Sequence, residues 1–110
     1  MKVLFAPEVI DDLYNLVEIL VRKGYFGTYD FAVSYVEDLI NDIQANIHVS
    51  LKKKAPLYFN KYGKDLYYIK CRKNYHTTWY VFFKVIDDTY LITFISNNHV
   101  ISQYRLNFSD

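Results

Sequence analysis

The ten residues HTTWYVFFKV, from His76 to Val85, alternate between two kinds of side chain with a period of two. One set of alternate positions is mainly apolar and the other mixes polar and aromatic side chains: Thr77, Trp79, Val81, Phe83 and Val85 against His76, Thr78, Tyr80, Phe82 and Lys84. This period is typical of a β-strand with one buried face. Asp87-Asp88 follows as a turn signal, so the run predicts one strand of an antiparallel meander.

Two neighbouring runs have the same period and complete the meander. Leu66 to Lys73 separates an apolar set from a basic set, and Tyr90 to Ser96 puts Ile92 and Phe94 together on one face. We expect the apolar sets to meet a layer of helices and the opposite face to stay open to a partner. That open face would display Tyr68, Lys70, Arg72, His76, Thr78, Tyr80 and Lys84. A one-residue bulge would invert this assignment.

The first half of the chain has the helical period instead. After a short strand from Lys2 to Ala6, Pro7 and Glu8 fit the first turn of an amphipathic helix that ends near Lys23, with Gly24 as its C-cap. A second amphipathic helix is predicted from about Asp30 to Ile47.

These elements predict an α+β fold of order β-α-α-β-β-β. The helical hairpin spans about residues 8–47 and packs on one face of a small, mainly antiparallel sheet, whose meander spans about residues 66–96. The loop between them passes Pro56 and ends near Gly63, and residues 101–110 form either a short helix or a tail.

Length and composition limit the class of protein. The 110 residues, 52% of them hydrophobic, suffice for one domain, residues 1–110, with a buried core. The single cysteine, Cys71, excludes an internal disulfide and a cysteine-based zinc site, and the three histidines lie too far apart for a local metal motif. We therefore expect no metal and no cofactor. With no apolar run of membrane-spanning or signal-peptide type, we expect a cytoplasmic protein that does not contact a membrane.

The net charge of +1 hides a strong asymmetry between the two halves. Residues 1–50 carry three basic and eight acidic side chains, a charge of −5, whereas residues 51–110 carry ten basic and four acidic ones, a charge of +6. Between Lys52 and Lys73, eight basic residues face only Asp65. Either the basic half binds an anionic partner, or the two halves neutralise each other in the fold.

The order of elements and three stretches of sequence resemble the RelE/ParE toxins of bacterial type II toxin–antitoxin (plasmid stabilisation) systems. The stretches are FAPEVIDDL at 5–13, WYVFFKVIDD at 79–88 and FISNNH at 94–99, and the likeness extends from Lys2 to about His99. It implies a growth-inhibiting toxin that a cognate antitoxin protein keeps silent. RelE-like members cut mRNA on the ribosome, and ParE-like members inhibit DNA gyrase without being enzymes.

For the RelE-like mechanism, metal-independent cleavage needs proton transfer and stabilisation of charge on the phosphate. Lys70 and Arg72, one strand period apart, would point the same way and hold one phosphate, and His76 can transfer a proton near pH 7. The candidate catalytic residues are Lys70, Arg72, His76, Tyr80 and Tyr104. The candidate nucleic-acid-binding residues are Lys52, Lys53, Lys54, Lys73 and Arg105.

Two departures from the nuclease pattern keep other functions open. Tyr80 and Val100 stand where many RelE-like nucleases carry arginines, and the long helices look more like those of ParE. The alternatives are a ParE-like gyrase inhibitor and a degenerate toxin that only binds its antitoxin. These residues can also be interpreted without any functional role. Lys70 and Arg72 would then be solvated strand residues, His99 would cap the last strand, and Cys71 would be an inert buried thiol.

Overall fold

The computed structural model describes residues 1–24 and 27–101 of the chain. The order of elements is β1 (Lys2–Phe5), α1 (Pro7–Arg22), α2 (Tyr29–Asn46), β2 (Lys53–Lys54), a 3₁₀ helix (Leu57–Tyr62), β3 (Tyr67–Arg72), β4 (Thr78–Ile86), β5 (Thr89–Asn97) and α3 (Asn98–Ile101). This is an α+β fold with a helical hairpin on a five-stranded sheet. No helix within the described ranges is both long and apolar enough to cross a membrane.

The sheet has the strand order β1-β5-β4-β3-β2. β1 pairs in parallel with β5, and the other three pairings are antiparallel. The first strand of the chain is therefore added beside the last strand, and the β3–β4–β5 meander lies between the two short edge strands. The predicted fold class is confirmed.

Local signals account for the bounds of the two long helices. Pro7 occupies the first turn of α1, and Gly24 follows its end with φ of 74°, a left-handed conformation that glycine adopts without strain. The Oγ1 of Thr28 accepts a hydrogen bond from the Phe31 amide and caps α2. The predicted start of α2 at Asp30 differs from the observed start by one residue.

The main core lies between the helices and the inner face of the sheet. Two of its buried members, Ala6 and Ile47, flank the helices, and the others come from both helices and from the three long strands: Val9, Leu13, Val17, Ala32, Val36, Leu39, Ile43, Ile69, Cys71, Trp79, Val81, Phe83, Tyr90, Ile92 and Ile95. Full burial of one large apolar side chain stabilises a fold by about 1.5–3 kcal/mol. The predicted inward orientation of Ile69, Cys71, Trp79, Val81 and Phe83 is confirmed.

A bulge in β5 changes the orientation of its second half. Phe82 is paired with Phe94, but Phe83 is paired with Ile92, so Thr93 has no counterpart on β4. The extra residue reverses the alternation. Ile92 therefore faces the helices while Phe94 lies on the opposite side of the sheet, and the prediction that both share one face is wrong.

The opposite side of the sheet, here called the outer face, is partly covered. The 3₁₀ helix lies against it and forms a second core with strands β3 and β4: Phe59, Leu66, Tyr68 and Phe82. Tyr68, which was predicted to be displayed to a partner, is 3% exposed. The prediction of an entirely open outer face is therefore wrong, because a segment interpreted as loop folds back over the sheet.

Candidate nucleic-acid interface

The outer face beyond the 3₁₀ helix carries a group of polar side chains on three adjacent strands. Lys70 lies directly opposite Tyr80, and Tyr80 lies opposite Ser96 on the other side. One step further along, Arg72 lies opposite Thr78. We call these five residues the polar patch. Directly opposite side chains on a sheet have Cβ atoms about 4.5–5.5 Å apart. Ser96 is buried, so it is the other four residues of the patch that can contact a single ligand together.

Arg72 is held in place by the turn that follows it. Its Nε donates to the Asn74 carbonyl at 3.3 Å and its Nη2 donates to the Tyr75 carbonyl at 3.4 Å. Its guanidinium carbon lies 5.5 Å from the centre of the Tyr75 ring. A guanidinium has five N–H donors, so these two bonds leave donors for an anion while fixing the direction of the group.

The turn between β3 and β4 is itself tied to the end of β5 by one asparagine side chain. The Asn98 Oδ1 accepts from the Thr78 amide at 3.0 Å, and its Nδ2 donates to the His76 carbonyl at 3.1 Å. Within the turn, the Asn74 Oδ1 accepts from the His76 amide at 2.9 Å. The turn is therefore rigid on both sides, which reduces the entropy lost when it binds a ligand.

Two histidines lie at this end of the sheet. His76 is exposed on the turn, next to the polar patch. His99 is exposed in α3, and its Nε2 lies 3.4 Å from the Thr77 Oγ1. The fold thus brings the two histidines to the same end of the sheet, although they are far apart in sequence.

The three consecutive lysines do not act as one cluster. The Lys52 Nζ donates to the Ser50 carbonyl at 3.1 Å and lies 5.5 Å from the centre of the Tyr90 ring. Lys53 and Lys54 form β2 and therefore project to opposite sides of the sheet. Lys53 shares a shallow groove on the outer face with Lys70, lined by Ser50, Leu51, Lys53, Tyr68 and Lys70.

Lys73 lies away from the patch and contacts the helical layer. Its Nζ is 3.4 Å from the Asp42 Oδ2 and 5.1 Å from the centre of the Tyr35 ring, and only 14% of its side chain is exposed. Its charge is therefore engaged with α2, and the structure does not bring it to the other candidate nucleic-acid-binding residues.

The remaining sequence candidates fall into two groups. Tyr104 and Arg105 lie outside the described residues, as do the rest of the predicted tail from 102 onward and residues 25–26 of the interhelical loop. Cys71 and Trp79 are buried on the inner face, as predicted. Burial raises the pKa of the Cys71 thiol, so the thiol stays protonated and unreactive at neutral pH.

Two residues of this region were not found as candidates from the sequence. Asn98 bonds both sides of the β3–β4 turn, and Tyr75 is highly exposed at its tip. The Asn97-Asn98 pair at a strand end is a signal for side-chain capping of nearby backbone. Tyr75 has no such signal, because its exposure depends on the turn geometry.

Comparisons with protein-family models, with curated proteins and with solved structures found no significant match.

Proposed function

We propose that this protein is a cytoplasmic toxin of the RelE/ParE kind, from a bacterial type II toxin–antitoxin module, and that it cuts mRNA on the ribosome. The observation that carries the proposal is the register of β3 on β4. In this register Lys70 lies beside Tyr80, and Arg72 lies on the same face of the sheet. The exposed His76 follows in the adjacent turn. Cations on paired strands are held more rigidly than cations in loops, as electrostatic stabilisation of a transition state requires.

The proposed reaction is transfer of the phosphoryl group within the RNA. The 2′-oxygen attacks the adjacent phosphorus, the bond to the 5′-oxygen breaks, and the 2′-proton is removed while the leaving 5′-oxygen gains a proton. Lys70 and Arg72 stabilise the added negative charge on the phosphate, and the Tyr80 hydroxyl hydrogen-bonds the phosphate or the 2′-oxygen. His76 exchanges one of the two protons, and solvent water exchanges the other. Lys53, in the groove next to Lys70, extends the contact along the RNA backbone.

An antitoxin partner is supported by a second surface, the groove between α1 and α2. Its floor is apolar, its volume is about 610 Å³, and Glu18 and Glu37 line it. Tyr14 and Ile10 are exposed along α1 at the same groove. An antitoxin segment with apolar residues at helical spacing and basic residues beside them would match both the apolar floor and the acidic helices.

Induced expression in a bacterial host tests the proposal directly. We expect growth arrest with new cuts in translated mRNA, and we expect the Lys70→Ala, Arg72→Ala double variant to abolish both. The matched control is Arg22→Ala, Lys23→Ala, which removes two exposed positive charges from the end of α1 and should leave the arrest intact. Arrest by the Lys70, Arg72 variant would refute this site.

A second candidate function is non-enzymatic inhibition of DNA gyrase. Tyr14 and Tyr29, both exposed along the α1–α2 groove, favour it, because tyrosine is enriched among the residues that contribute most to protein–protein binding energy. Plasmid supercoiling, followed in the same culture, separates the two functions. Arrest with intact mRNA and relaxed or broken DNA would establish gyrase as the target, and harmless expression would indicate a domain that only binds its antitoxin.

A further inference from the structure

Tyr75 is the most exposed of the large apolar and aromatic side chains in the described part of the chain, at 83%. It lies at the tip of the β3–β4 turn, between Arg72 and His76. The Arg72 guanidinium carbon is 5.5 Å from the centre of its ring, and the His76 ring centre is 5.2 Å away at an interplanar angle of 79°. An aromatic side chain thus stands in solvent beside the cation that the proposed function assigns to a phosphate.

The backbone that carries Tyr75 is fixed before any ligand arrives. Its carbonyl accepts the Arg72 Nη2, and the neighbouring His76 is bonded through its amide to Asn74 and through its carbonyl to Asn98. The Lys73 amide also donates to the Thr77 carbonyl at 2.9 Å, which closes the base of the turn. The ring is therefore presented from a rigid support, and its exposure does not result from a loose loop.

We propose that Tyr75 is the base-binding residue of this protein: an unpaired base of single-stranded RNA stacks on its ring while Arg72 contacts the phosphate of the same nucleotide or the next one. This inference rests on the proposed function and names the part of the substrate that its site recognises. Proteins that bind single-stranded RNA commonly combine aromatic stacking with a basic track along the backbone. This protein has both components close together in the chain. Lys70 and Arg72 on β3 provide the basic track, and Tyr75 in the following turn provides the aromatic ring.

The test is direct binding of a short fluorescein-labelled single-stranded oligoribonucleotide, measured by anisotropy, with the same backbone lacking its bases as a second probe. We expect Tyr75→Leu to weaken binding of the base-bearing RNA by about 5- to 150-fold, the range that loss of one stacked base gives. Tyr75→Phe, which keeps the ring, should bind within about twofold of the unaltered protein, because stacking needs no hydroxyl. The abasic probe should not distinguish Tyr75→Leu from the unaltered protein.

Phe31→Leu is the matched control. Phe31 is 64% exposed in the first turn of α2, so this variant loses an exposed aromatic ring elsewhere on the surface and should bind RNA normally. The dependence of binding on salt separates stacking from an indirect effect on Arg72. The slope of log K against log salt is negative, and loss of one phosphate contact reduces its magnitude by about 0.7, so Arg72→Gln should reduce that magnitude and Tyr75→Leu should not.

Two results would overturn the inference while the proposed function stands: Tyr75→Leu binding the base-bearing RNA as tightly as the unaltered protein, or weakening both probes equally with a reduced salt slope. In the second case Tyr75 would only position Arg72. If the unaltered protein bound neither probe, this inference would be overturned, whereas the proposed function would still be decided by the mRNA cuts that follow induced expression.

Discussion

The ring of Tyr62 lies parallel to that of Phe94, with centroids 3.7 Å apart and an interplanar angle of 4°. This stacked pair joins the end of the 3₁₀ helix to β5, and Phe59 is stacked on Phe82 of β4 at 4.3 Å in the same way. Two aromatic contacts thus hold the 3₁₀ helix on the outer face of the sheet. They separate a covered, apolar part of that face from the polar patch.

Removing the central ring of this cover should destabilise the fold. Phe59 is 1% exposed, so Phe59→Ala should lower the free energy of unfolding by about 3–5 kcal/mol, which urea denaturation measures. Leu57→Ala is the control on the same 3₁₀ helix, since Leu57 is 79% exposed and its truncation should change stability by at most about 0.5 kcal/mol. Equal effects of the two substitutions would mean that the 3₁₀ helix does not pack on the sheet in solution.

Asn98→Ala should loosen the β3–β4 turn. The substitution removes an acceptor for the Thr78 amide and a donor to the His76 carbonyl, and the expected cost is about 1–3 kcal/mol. Hydrogen exchange at the Thr78 amide should accelerate, whereas Asn60→Ala, at an exposed position of the 3₁₀ helix, should leave it unchanged. Unaltered protection of Thr78 in the Asn98 variant would contradict the described contact.

Lys73 and Lys70 should differ in their effect on RNA binding although they are three residues apart. Lys73→Ala should bind single-stranded RNA within about twofold of the unaltered protein and lose about 0–1 kcal/mol of stability, because its charge is paired with Asp42 at a partly exposed site. Lys70→Ala should weaken binding and reduce its salt dependence. An equal loss of affinity in both variants would show that the basic residues act only through net charge.

Thr93→Val should stabilise the protein. The Thr93 Oγ1 is buried at the β5 bulge and has no hydrogen-bond partner among the described residues, so replacing the hydroxyl by a methyl group should raise the free energy of unfolding by about 1 kcal/mol. Thr77→Val is the control, since the Thr77 Oγ1 contacts His99 and its removal should give no such gain. A loss of stability in the Thr93 variant would indicate a partner for the hydroxyl.

Cys71 should react with a disulfide reagent only after unfolding. Burial raises its pKa, so the unfolded chain releases the thiol proton at lower pH than the folded protein. The folded state then binds more protons above the ordinary thiol pKa, and this group's contribution to stability falls as pH rises through that range. Between neutral pH and pH about 10, the urea midpoint of Cys71→Val should therefore fall by less than that of the unaltered protein, because the variant has no thiol to ionise in the unfolded state.

The predictable part of the fold is the part in which local period and burial agree. Helices α1 and α2 and strands β3 and β4 each turn one regular set of side chains toward the main core, so the period of the sequence locates their inner faces. The β5 bulge leaves no comparable mark, because TYLITFISN reads equally well with Thr93 paired or unpaired. The 3₁₀ helix that covers Tyr68 is not predictable from the sequence either. Its residues, LYFNKY, have the composition of a loop, and they pack only against the completed outer face of the sheet.

The candidate site was predictable to a similar extent. The alternation of β3 was enough to direct Lys70 and Arg72 to one face, and the register with β4 adds Tyr80 as a neighbour. The separation of Lys52, Lys53 and Lys54 depends on the pairing of β2, which spans two residues. The ion pair between Lys73 and Asp42 joins residues that are far apart in sequence, so no local sequence pattern predicts it.

The parallel ladder between β1 and β5 has a consequence for synthesis of the chain. Lys2 pairs with Thr89 and Phe5 pairs with Ile92. β1 therefore cannot pair with β5 until nearly all of the described chain has been synthesised. β5 also lies between β1 and β4, so a nascent chain that lacks it has no strand for β1 to pair with and no Ser96 opposite Tyr80. For the proposed RNA-cleaving site, we therefore expect activity to appear only late in translation, and we expect prematurely terminated products to lack it.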